Sequence, residues 1–70
     1  MIPTAQDVVS FLNEQLAAAG LPQRVTSIDV LPYVNPMWLA NWEAPELAGV
    51  AECEESIREA RWQFPQVLLD

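Results

Sequence analysis

Apolar residues first recur along this chain at helical spacing. Val8, Leu12 and Leu16 stand four apart, Ala5, Val9 and Ala19 widen the stripe, and Phe11 lies on its flank. Thr4 precedes the run with a hydroxyl able to accept from an orphan N–H, and Asp7 puts a negative charge in the first turn, where the helix dipole favours it. Gly20 fits a left-handed residue just past the end, Leu21 can fold back onto Leu16, and Pro22 stops propagation. Together these signals predict a helix bounded by Thr4 and Gly20.

The rhythm then changes to that of extended chain. Arg24 to Tyr33 is rich in β-branched residues and predicts a strand, Met37 to Glu43 predicts a second, and Val34-Asn35-Pro36 supplies the turn between them. Pro32 has no N–H to donate, which makes its end of the first strand an edge or a bulge. A four-residue loop of Val34 to Met37 sets Tyr33 opposite Trp38, Leu31 opposite Ala40 and Asp29 opposite Trp42. Because side chains alternate across a strand, Leu31, Tyr33, Trp38, Ala40 and Trp42 then share one face, and Ile28, Val30, Pro32 and Leu39 the other. Both faces are apolar in that register, whereas a hairpin with one solvated side reads apolar-in and polar-out. Either the helices sandwich the hairpin, or both pack on one side and leave the other for a second molecule. The second arrangement is favoured, because a two-stranded ribbon is marginal alone and its unpaired edges invite strand addition.

After Trp42, Glu43 to Gly49 reads as a connection, with Pro45 suited to open a short helical turn. Val50, Cys53, Ile57, Ala60 and Phe64 return to helical spacing and predict a second helix over Val50 to Gln63, ended by Pro65. Glu54 and Arg58 sit at the favourable i,i+4 spacing for an ion pair. Val67-Leu68-Leu69 is too apolar to stay in water, so it should dock on the core or on a partner. The fold class that follows is α+β: one small domain over residues 1–70, helix-strand-strand-helix, centred on an antiparallel β-hairpin.

Composition narrows the chemistry. Among 70 residues there is no His and one Cys, three basic residues face ten acidic ones, and the net charge is −7. General acid–base catalysis near neutral pH most often uses His, and covalent catalysis needs Ser, Cys or Lys beside a base. All three basic residues are arginines, Arg24, Arg58 and Arg61, so a phosphate backbone would be repelled and direct nucleic-acid binding is not expected. A hydrophobic fraction of 51% argues against a disordered acidic tail. A single thiol forms no internal disulfide, the first basic residue is Arg24, and no apolar stretch approaches the roughly 20 residues of a spanning helix. These features point to the cytoplasm, with no membrane partner, no cofactor and no metal. Gly20 and Gly49 are too few for a phosphate-binding glycine loop.

Each remaining candidate has a plain structural reading. Cys53 falls on the apolar stripe of the second helix and, among Glu52, Glu54 and Glu55, is poorly placed to ionise. Glu52, Glu55 and Glu59 share a helix face that is either solvated or a docking surface for a basic protein. Arg58 and Trp62 are spaced for a cation–π contact, and Arg61 points elsewhere, free to anchor a carboxylate of another chain. The leading expectation is a small, non-catalytic interaction module that binds a protein partner, a basic one or a second copy of itself, through Tyr33, Trp38 and Trp42 on the hairpin and Glu52, Glu55, Glu59, Arg61 and Trp62 on the second helix. Two rival readings are a phage- or antitoxin-type inhibitor, whose carboxylates fill the basic groove of a nucleic-acid-binding protein, and an accessory subunit of an enzyme.

Overall fold

Thr4 starts the first helix by a reciprocal exchange. In the computed structural model, which describes residues 1–68, the Asp7 N–H donates to Thr4 Oγ1 and the Thr4 N–H donates to Asp7 Oδ2, both at 3.1 Å. Helix α1 runs Ala5–Ala18. Past its end Gly20 takes φ 73°, its N–H donates to Ala17 O at 3.0 Å, and the Leu21 N–H donates to Leu16 O at 2.9 Å. That pair of bonds closes the last carbonyls and swings Leu21 back onto the core, as Gly-Leu-Pro at this point predicts.

Strand β1 spans Arg24–Val30 and β2 spans Trp38–Glu43. They form one antiparallel pair whose register differs from the predicted one: Val30 faces Trp38, Ile28 faces Ala40, Asp29 faces Leu39 and Ser27 faces Asn41. The reason lies at Pro32. Instead of weakening the edge of a longer strand, it occupies the second position of a turn closed by the Val34 N–H on Leu31 O at 3.1 Å, where its fixed φ is already suitable. Tyr33 therefore leaves the sheet. An irregularity between Val25 and Ser27 inserts one extra residue in β1, so that Val25 still faces Trp42 and stays on the inner side.

This register reverses the expectation of two apolar faces. The inner face carries Val25, Ile28, Val30, Trp38, Ala40 and Trp42, all in the core or packed against it. The outer face carries Ser27, Asp29, Leu39 and Asn41, all exposed. There the Asn41 amide donates to Ser27 Oγ and to Asp29 Oδ2 at 3.0 Å each. A polar, internally bonded outer face needs no second molecule to cover it; Leu39 is its apolar exception.

Both helices pack on the inner face. Helix α2, Val50–Gln63, contributes Cys53, Ile57 and Ala60 to the core, against Val8, Leu12 and Leu16 of α1. Residues 44–49 contain no helix, so Pro45 opens none. Phe64 meets Phe11 edge-to-face with centroids 5.3 Å apart. Val67 is buried in the core and Leu68 is half exposed, bridged in parallel to Thr4 through Leu68 N–H to Pro3 O at 2.8 Å and Ala5 N–H to Leu68 O at 3.1 Å. Of the apolar terminal run, Val67 thus docks on the chain's own core while Leu68 stays at the surface; Leu69 lies outside the described residues.

Candidate interaction groove

Between β2 and α2 the core opens to the surface. A groove of about 240 Å³ is lined by Leu39, Ala40 and Trp42 from the strand and by Glu54, Ile57, Arg58 and Arg61 from the helix. The helical positions stand at i, i+3, i+4 and i+7, so they form one stripe beside the core stripe. The volume lies under the roughly 300–1,000 Å³ of drug-sized ligand pockets and suits the side chains of a flat partner better than a buried small molecule.

The strand supplies a second kind of group. In an antiparallel pair, residues alternately direct their main-chain N–H and C=O toward and away from the partner strand. The Leu31 N–H donates to Met37 O across the hairpin. With the register of Val30 on Trp38, Trp38, Ala40 and Trp42 must therefore point their main-chain groups outward, along the groove. Arg61 Nε takes up Trp38 O at 2.7 Å. Among the described residues no side chain or loop bonds the outward groups of Ala40 or Trp42. The outer edge of β1 is treated differently at Val25, whose C=O and N–H are both held by the Asn13 side-chain amide, at 3.1 and 2.7 Å. Asn13 thereby imitates a neighbouring strand and closes that part of the edge.

The predicted site residues are scattered by this arrangement. Trp42 lines the groove, half-buried. Trp38 does not present to a partner: it is fully enclosed, with Nε1 donating to Phe64 O at 2.6 Å. Trp38, Ala40 and Trp42 share one face as expected, but it is the face that the helices cover, and the odd shift of register puts Val30 and Ile28 on it in place of Tyr33 and Leu31. Tyr33 is 97% exposed on the turn beyond the sheet. Arg61 is not free, because its guanidinium is used on Trp38 O and, at 3.5 Å, on Pro36 O. Glu52, Glu55, Glu59 and Trp62 are exposed on α2 outside the groove lining. Arg58 pairs with Glu55 at 3.0 Å instead of with Glu54 or the Trp62 ring, a surface contact contributing little to stability.

Cys53 is fully enclosed, and burial first, then the charge of Glu54, pushes its thiol above the ordinary value, which withholds the thiolate a nucleophile needs. Among the described residues no three His, Cys, Asp or Glu side chains come together in a way that could hold a metal ion, and no helix is long and apolar enough to cross a membrane. Leu39, Ala40, Glu54, Ile57 and Arg58 were missed as lining residues, although the spacing of 54, 57, 58 and 61 carried a readable second stripe. Gln23 was also missed. Fully buried, it donates through Nε2 to Glu46 O at 3.2 Å and Ala48 O at 2.8 Å and pins the connection into α2; nothing in its local sequence marks it. Compared with known proteins, the chain matches no family model, no curated protein and no solved structure.

Proposed function

We propose that this chain is a small, non-catalytic interaction module that holds a protein partner along the groove between β2 and α2. The observation that carries the reading is the coincidence of an unpaired strand edge with an apolar, arginine-rimmed groove. Main-chain bonds to such an edge supply affinity without regard to sequence, and the groove beside it selects the side chains that alternate inward. The groove takes the place of the aromatic hairpin face, which the register and the burial of Trp38 remove as a docking surface.

The exposed row of Glu52, Glu55, Glu59 and Trp62 favours a second reading, an acidic face that docks a basic protein and, in its sharper form, an inhibitor standing in for nucleic acid. One experiment separates the two. The tagged chain is used to capture proteins from cells of its source, beside an Ala40→Pro variant and a variant with Glu52, Glu55 and Glu59 changed to Lys. Capture lost with Ala40→Pro and kept with the lysine variant in high salt supports the groove. The opposite pattern, with binding that collapses as salt rises, replaces it with the acidic face.

A further inference from the structure

The occupant of this groove can be read from the order of charges along it. Arg61 bonds Trp38 O, which puts the C-terminal half of α2 beside the start of β2. Glu54 lies two turns earlier on the same stripe, toward Trp42, with Ile57 and Arg58 between. The helical wall is thus acidic at one end and basic at the other, with Ala40, the smallest side chain of the lining, between Trp38 and Trp42.

A two-fold axis perpendicular to β2 at Ala40 exchanges the ends of such a groove. Glu54 of one copy then stands opposite Arg61 of its mate, and the mate's Glu54 opposite the first copy's Arg61, which is the self-complementarity that an isologous interface requires; Arg58 lies near the axis, paired with Glu55 of its own chain. On the same axis the outward main-chain groups of Ala40 pair with those of the second Ala40, and Trp38 pairs with Trp42 in both directions, since a carbonyl already bonded by Arg61 keeps a second lone pair. Ala40 facing Ala40 brings no bulk to the centre.

We infer that the partner of the groove is a second copy of this chain, joined edge to edge through β2 into a four-stranded antiparallel sheet with both α2 helices on one side. The inference rests on the groove reading above and names its occupant. Leu39, 45% exposed in the single chain, stands beside the outer-face residues of the second β2. Two chains of charge −7 repel at long range, but this repulsion is screened over about 8 Å at physiological ionic strength, whereas Glu54 and Arg61 meet across the interface.

The test is sedimentation equilibrium of the full chain from micromolar to millimolar concentration at physiological salt. The expected result is a reversible shift from monomer to twice that mass. Ala40→Pro should remove it, because only an outward N–H is lost and the β1–β2 ladder is untouched; unchanged far-ultraviolet circular dichroism confirms that the variant is folded. Glu54→Arg should weaken the dimer, because it sets a like charge against Arg61 of the second copy, while Glu54→Gln should weaken it less. A chain that stays monomeric throughout, or one whose dimer ignores all of these substitutions, overturns the self-pairing. Groove binding as such is read separately: a monomeric chain that still captures another protein in an Ala40→Pro-sensitive manner keeps the groove and changes its occupant, and loss of both removes the groove reading too.

Discussion

Several side chains here hold the chain together where the sequence suggested outward roles. Arg61 looked like a free cation and instead straps α2 to the start of β2. Trp38 looked like an interface anchor and instead fills the core and satisfies the Phe64 carbonyl. Cys53 follows the plain reading, a small hydrophobe on the inner stripe of α2. Its raised pKa has a defined consequence. Below the ordinary thiol pKa both folded and unfolded forms are protonated, and the stabilisation is fully present. As pH climbs past that value the unfolded chain ionises first, so stability falls until the folded thiol also titrates. Urea unfolding at pH 7 and at alkaline pH should show this loss in the native sequence and a flatter profile in Cys53→Ala. In the folded protein at pH 7, a thiol reagent should react no faster than the chain opens.

Helix ends show how local signals act through single backbone positions. Gly20 and Gly49 both have positive φ, 73° and 86°, a region where a side chain costs about 1–2 kcal/mol. Their surroundings differ. A Cβ at Gly20 meets nothing within 4 Å, whereas at Gly49 it would come within 2.8 Å of Leu21 Cδ2 and 3.0 Å of Gln23 Oε1. Gly20→Ala should therefore lower stability by about 1 kcal/mol. Gly49→Ala should cost clearly more, because Leu21 is packed on the core and Gln23 is tied to the connection. Urea midpoints of the two variants provide the comparison, and equal losses would contradict the account of how α2 is entered.

The molecule closes around Trp38. Strand, helix and terminal segment all meet there: Arg61 holds its carbonyl, Phe64 accepts from its indole, and the neighbouring Met37 N–H donates to Pro65 O at 2.9 Å. A chain of this size has a total stability of about 4–10 kcal/mol, so one buried group left without its partner is a large fraction of it. Trp38→Phe keeps most of the apolar volume but strands the Phe64 carbonyl, and should cost about 1–3 kcal/mol. Hydrogen exchange should then rise at Met37 and Leu68, where the terminal segment is tied to the hairpin and to the N-terminus.

The element order, both helix boundaries and the first helix's caps were determined by the sequence alone. Thr4 with Asp7, Gly20 with Leu21 and Pro22, and the spacing from Val50 to Phe64 act over a few residues, where geometry is set by the nearest bonds. The groove was not legible in the same way. Whether Pro32 ends a strand or merely frays it decides the register, the register decides which face each aromatic takes, and that choice was settled by the burial of Trp38 against residues far along the chain. The conversion of Arg61 into a strap, the closing of β1 at Val25 by Asn13 and the groove beside β2 depend on contacts between elements that local pattern does not specify, so only the tertiary structure could place that groove.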